Sequence, residues 1–152
     1  ALYCVSPWAL TWDDENYYMI AYDPGEEKLK HYRVDKMEQI TQTDLPREGK
    51  GLFRNQFNMA DYTRKIFGMF SGEERTVRLL CESSHVGILL DRFGSDIMLQ
   101  PAADAAHFFV SVPVAVSPQF FSWVFGLGGI VRIVEPPDVR QRFLEYLHAF
   151  PE

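Results

Sequence analysis

Cysteine is scarce in this chain, with only Cys4 and Cys81 in 152 residues. Two isolated thiols build neither a disulfide framework nor a zinc site, and a reducing, cytoplasmic setting is expected. Histidine is sparse too. His31, His85, His107 and His148 are scattered, without the spacing of a metal site, so neither a metal nor a cofactor is expected. No serine sits in a Gly-x-Ser-x-Gly elbow and neither cysteine has activating neighbours. The chain does not read as an enzyme. An excess of positive charge is also missing: 15 Lys and Arg stand against 21 Asp and Glu, a net charge of −6. That argues against this chain gripping duplex DNA by itself, because phosphate neutralisation supplies most of such affinity. Low-complexity segments and internal repeats are absent, and a content of 47% hydrophobic and 24% charged residues excludes general disorder.

One uncharged stretch, Ala105 to Val131, runs for 27 residues and is long enough on paper to span a bilayer. Pro113, Pro118 and the glycines Gly126, Gly128 and Gly129 interrupt it, and Ser111, Ser117, Gln119 and Ser122 are polar. It reads as strand, turn, helix and strand in a soluble core, with no membrane contact. No basic segment marks a signal peptide. The start, Ala-Leu-Tyr, is already strand-like, and the chain is expected to be a piece of a longer protein.

Residues 1–42 read as β-rich. Leu2 to Val5 is expected to be a strand ended by Ser6-Pro7, and Tyr17 to Tyr22 a strand between the polar turns Asp13–Asn16 and Asp23–Gly25. Leu29 to Val34 is its hairpin partner. Strand alternation puts Tyr18, Ile20 and Tyr22 on one face, and separates Leu29, His31 and Arg33 from Lys30, Tyr32 and Val34. Residues 43–75 read as a linker with one short helix, carrying Met59, Tyr62 and Ile66 at helical spacing after Asn58, and stopped at Gly68 and Ser71-Gly72.

From residue 76 to 152 the pattern is regular. Strands are expected at Thr76–Cys81, Ile97–Leu99, Phe108–Val114 and Ile130–Val134. A helix capped by Ser83 or Ser84 carries Val86, Leu89, Leu90 and Phe93 up to Gly94. Another opens at Ser117-Pro118, and the last, from Pro137, carries Val139, Phe143, Tyr146, Leu147 and Phe150. The order β-α-β-β-α-β-α is a ferredoxin-like plan with an added C-terminal helix. Gly126-Leu-Gly-Gly129 follows a helix and precedes a strand, the reverse of a phosphate-binding loop, and reads as a helix end and tight turn.

The densest basic segment is Lys28 to Lys36, KLKHYRVDK, beside the tyrosines of the preceding strand. Arginine offers a planar fork to phosphate or carboxylate, and tyrosine offers a stacking face and a hydroxyl. Two readings are open: a site for an anionic aromatic ligand such as a nucleotide or a short single strand, or a surface Arg33–Asp35 pair.

Taken together, Ser6-Pro7-Trp8-Ala9-Leu10, Tyr17-Tyr18-Met19-Ile20-Ala21-Tyr22-Asp23 and His31-Tyr32-Arg33-Val34-Asp35-Lys36-Met37 resemble the WYL-domain family of bacterial transcriptional regulators. Tyr17, Tyr18 and Met19 stand for the family's Trp-Tyr-Leu. Arg33 and Asp35 match its Phe-Arg-x-Asp-Arg-Ile pattern, with Tyr32, Lys36 and Met37 at the other places. Lys36 lacks the fork of the arginine it replaces. Phe67–Glu73, Val124–Gly128 and Val131–Pro136 resemble the junction, a helix end and the final strand of the WCX-type C-terminal extension. The resemblance implies an α+β protein: a partial Sm-like or SH3-like β-barrel, then the ferredoxin-like extension. It implies that a helix-turn-helix reading duplex DNA, and the opening of the barrel, lie outside this chain. What remains would sense an effector, a nucleotide or single-stranded nucleic acid, and form a homodimer. Its implied ligand residues are Tyr18, Arg33 and Lys36, with His31 and Asp35 orienting them. His85 and Arg92 would add contacts from the extension, or are plain helix surface. The rival reading is a structural oligomerisation module without an effector.

Overall fold

The computed structural model describes residues 2–53, 58–66, 69 and 72–149. These form two compact units, Ala1–Thr63 and Arg64–Glu152. The fold is mixed α+β, with two antiparallel sheets and five α-helices among the described residues.

The first unit is built on a three-stranded meander, β1 (Ser6–Asp13), β2 (Asn16–Asp23) and β3 (Lys28–Arg33). Asp14 and Glu15 both take positive φ, 44° and 63°, which lets two residues reverse the chain between β1 and β2. The strand expected over Leu2–Val5 is not there; Ser6-Pro7 begins a strand instead of ending one. The reason is position. β1 is an edge strand, where proline's missing N–H costs no ladder bond, and the register slips by one residue between Pro7 and Ala9 in a bulge at Trp8. A 3-10 turn (Val34–Lys36) closes β3. Two short helices follow, α1 (Lys50–Phe53), inside the stretch expected to be irregular, and α2 (Met59–Lys65). The Asn58 side chain accepts from the Ala60 N–H at 2.9 Å and so caps α2. The helix stop expected at Gly68 and Ser71 lies outside the described residues, as do four of the seven residues of the Phe67–Glu73 junction.

The second unit carries β4 (Glu73–Glu82), α3 (Val86–Phe93), β5 (Leu99–Pro101), β6 (His107–Val116), α4 (Pro118–Gly126), β7 (Val131–Glu135) and α5 (Pro137–His148). The strands are arranged β5-β6-β4-β7, every neighbouring pair antiparallel. Alternation along β4 and β6 sends Val77, Leu79, Cys81, Val110, Val112 and Val114 to one face, all at most 1% exposed. Leu89 and Phe93 of α3, Phe120, Phe121 and Val124 of α4, and Val139 of α5 close over that face. β5 starts two residues later than expected, because Ile97 packs on the core from outside the ladder, while Pro101 is tolerated on an edge strand. No side chain caps α3. A 3-10 turn (Ser83–His85) leads into it, with Ser83 Oγ donating to the Ala105 carbonyl, and Ile88 rather than Leu90 joins its buried stripe.

The uncharged stretch resolves as β6, α4 and the turn Leu127–Ile130, where Gly128 and Gly129 adopt φ of 60° and 94°. No helix among the described residues is long and apolar enough to cross a membrane. Both cysteines are free, and burial pushes the Cys81 thiol up to about 11. A core thiol of that kind is unreactive. The final residue expected in the last helix, Phe150, lies outside the described residues.

Candidate nucleic-acid effector site

The register of the β2–β3 hairpin determines which side chains share a face. Tyr18 pairs with Arg33, Ile20 with His31 and Tyr22 with Leu29, so these six lie on one side. Met19 with Tyr32 and Ala21 with Lys30 occupy the other. The basic segment Lys28–Lys36 is thereby divided. Lys28 and Lys30 are on the second face, where Asp23 and Glu26 neutralise them; Lys30 Nζ is 2.7 Å from Asp23 Oδ2. Asp23 is held below the ordinary carboxylate range chiefly by its hydrogen bond from Lys30.

Arg33 is the centre of the first face. Its Nε donates to Asp35 Oδ1 at 3.0 Å and its Nη2 to Asp35 Oδ2 at 2.9 Å, and Nη2 also donates to Asn16 Oδ1 at 2.7 Å. The 3-10 turn that follows β3 brings Asp35 back beside the guanidinium only two residues away. The Arg33 bond holds the Asp35 carboxyl below its usual value, and the same bond reinforces the positive charge on Arg33. Nη1 has no partner among the described residues, and the Arg33 side chain is 40% exposed. Lys36 Nζ is 3.8 Å from Asp35 Oδ2 and largely in solvent. With Asp35 ionised, Arg33 and Lys36 leave one net positive charge beside Tyr18, so the group can receive an anion at Nη1 and Nζ.

His31 lies one cross-strand pair further along the same face. Its Nε2 is 3.1 Å from the Tyr62 hydroxyl of α2, and burial pushes that phenol up to about 12. Tyr62 therefore stays neutral and serves as a hydrogen-bonding group that fixes the imidazole. Thus Tyr18, Arg33, Asp35 and Lys36 come together, and His31 joins them along the sheet. His85 and Arg92 belong to the second unit and are engaged within it. His85 Nδ1 meets Ser84 Oγ at 2.9 Å and Glu82 Oε2 at 3.3 Å, and Arg92 Nη2 donates to the Ile66 carbonyl.

Two members of the grouping escape a reading of the sequence. Asn16 reads in the sequence only as a turn residue, although alternation from Tyr18 places it on the Arg33 face. Tyr62 reaches His31 across 31 residues and leaves no local signal. Among the described residues no group of three His, Cys, Asp or Glu side chains is arranged to hold a metal ion.

Among solved structures, proteasome accessory factor B/C (PafBC) of Arthrobacter aurescens is similar over 95% of this chain, at 22% identity and a TM-score of 0.43. The chain spans 21% of the length of that protein. No curated protein matches. Residues 1–42 match the WYL domain and residues 73–150 the WCX domain; the second match takes in just over half of the chain, which therefore belongs to the WCX-domain family and carries a WYL-domain match ahead of it.

Proposed function

We propose that this chain is the effector-sensing region of a DNA-binding transcriptional regulator, and that the effector is a nucleotide or single-stranded nucleic acid. The observation that carries this reading is the Arg33 guanidinium: clamped by Asp35 and Asn16, its Nη1 left over, and set opposite Tyr18 on one sheet face. A preorganised arginine beside an aromatic ring suits a phosphate attached to a base, since stacking and charge then act together. In this reading the described residues hold no catalytic machinery. Contact with duplex DNA falls to another part of the protein, in keeping with the net charge of −6 here. The strand order β5-β6-β4-β7 with its β-α-β-β-α-β connectivity supports a ferredoxin-like class for the second unit, and the meander supports an Sm-like barrel for the first. The active form in this reading is a homodimer, and the effector acts by favouring one of its arrangements over another.

A rival role as a plain oligomerisation module is favoured by the opposite sheet face. There Leu10, Trp12 and Tyr17 are each more than half exposed, and Trp12 meets Tyr17 edge-on at 4.8 Å. Fluorescence anisotropy of labelled single-stranded oligonucleotides and cyclic dinucleotides with the full-length protein separates the two. Saturable binding that falls about tenfold or more in Arg33→Ala supports the effector site. Absence of binding by every probe, or binding indifferent to Arg33→Ala, overturns it.

A further inference from the structure

The second unit has a groove of about 690 Å³ that nothing above uses. It follows β7, one of the two edge strands of the sheet. Alternation puts Leu80, Arg132 and Val134 on one face and Val131 and Ile133 on the other, and residues of both faces line the groove, so it wraps around that free edge. Phe125 from the end of α4 and Leu144 from α5 form the outer wall, 62% and 39% exposed respectively. The volume falls within the range of about 300–1,000 Å³ common for small-molecule sites.

The lining has a simple chemistry. Apart from two glycines, every residue in it is apolar except Arg132 and Arg140. No hydroxyl, amide or carboxylate side chain is available to read a sugar or a base. Elsewhere in the same unit Arg75 pairs with Asp138, Arg78 with Glu135 and Arg142 with Glu73. Arg132 and Arg140 have no carboxylate partner among the described residues; Arg132 Nε donates only to the Gly129 carbonyl at 3.2 Å. In a chain with an acidic excess, two guanidinium groups without a carboxylate partner among the described residues, both lining one apolar groove, suit an anionic head on a hydrocarbon body.

We propose that this groove binds an amphipathic carboxylate, its apolar body along Ile133, Phe143 and Leu144 and its carboxylate on Arg132 and Arg140. This site is independent of Arg33 and of the function proposed above.

Isothermal titration of the 152-residue protein with dodecanoate, dodecanol and dodecyltrimethylammonium, each below its micellar concentration, tests the proposal. Dodecanoate is expected to saturate the protein and to bind about tenfold tighter than the alcohol, an increment of about one charge-assisted contact. Arg132→Gln with Arg140→Gln should abolish that preference, while Leu144→Trp, which fills the groove, should weaken carboxylate and alcohol alike. Equal affinity for the three probes, no saturable dodecanoate binding, or a preference that survives the double substitution overturns the proposal. So does sedimentation showing a dimer that Leu144→Trp dissociates, which would assign the groove to a second copy of the chain.

Discussion

Arg33 and Asp35 are joined by two hydrogen bonds, Nε to Oδ1 at 3.0 Å and Nη2 to Oδ2 at 2.9 Å, between residues only two apart in the chain. A fully extended strand would send both side chains to the same face at greater separation. The 3-10 turn at Val34–Lys36 folds the carboxylate back onto the guanidinium. The pair is partly solvated, so its importance lies less in stability than in fixing the direction of the arginine.

That pairing predicts how Asp35 titrates. Its carboxyl is held below 3.8 mainly by the Arg33 bond, so it should stay ionised in acid that protonates ordinary aspartates. The folded-state value is the lower one. The contribution is therefore present above the unfolded-state value and is lost as pH falls through the folded one. Carbon-13 NMR of the side-chain carboxyl should show the depressed midpoint, and Arg33→Ala should move it upward toward 3.8. An unchanged midpoint in that variant would mean the pair does not form in solution.

Tyr62 predicts the opposite end of the pH scale. Burial raises its phenol to about 12, against 10.0 for an unperturbed tyrosine. The unfolded chain loses this proton first, so stability falls as pH climbs from 10.0 toward 12. Ultraviolet titration should show a late phenolate phase that Tyr62→Phe removes. The same substitution removes the hydrogen bond between His31 and Tyr62 and should cost about 1 kcal/mol in urea unfolding at neutral pH.

Two phenylalanines on α4 should respond very differently to truncation. Phe120 is fully buried and stacks near Trp123, with ring centroids 6.5 Å apart. Phe120→Ala should cost about 3–5 kcal/mol by removing core volume. Phe125 is 62% exposed, and Phe125→Ala should cost less than about 1 kcal/mol. Chemical denaturation of both variants checks the contrast.

Ser117 is expected to matter beyond its size. Its Oγ accepts from the Phe120 N–H at 3.2 Å and caps α4 directly before Pro118. Ser117→Ala should lower stability by about 1 kcal/mol, measurable in the same assay. A neutral result would mean the helix start is held by Pro118 and packing alone.

Much of this architecture is legible where local chemistry and tertiary packing agree. Ser117-Pro118 opens a helix because the cap and the fixed φ of proline serve any context, and Gly128-Gly129 ends the connection because positive φ is cheap only there. The alternation in Tyr17–Tyr22 likewise survives, since the buried pair Ile20 and Ala21 straddles a sheet covered on both sides at its centre. Pro7 misleads because its effect depends on whether its strand is central or at the edge, and only pairing decides that. Ile97 is misleading for a related reason: its apolar side chain is needed by the core, but its backbone is not needed by the ladder. In the candidate site, Arg33 and Asp35 can be found from spacing, whereas Tyr62 and Asn16 become neighbours only after the chain has closed.

The hairpin register has a further consequence for how this protein tolerates change. Arg33 and His31 share a side with Tyr18 only because Asp23 faces Lys28 across a turn of fixed length. Adding or deleting one residue there would leave every side chain of the site in the protein while turning β3 over, so that Tyr32 and Lys30 replaced Arg33 and His31. A lineage carrying such an insertion would keep the motif in its alignment and lose the proposed binding surface. The length of the segment between Asp23 and Lys28 is therefore as informative about relatives of this chain as the identity of Arg33 itself.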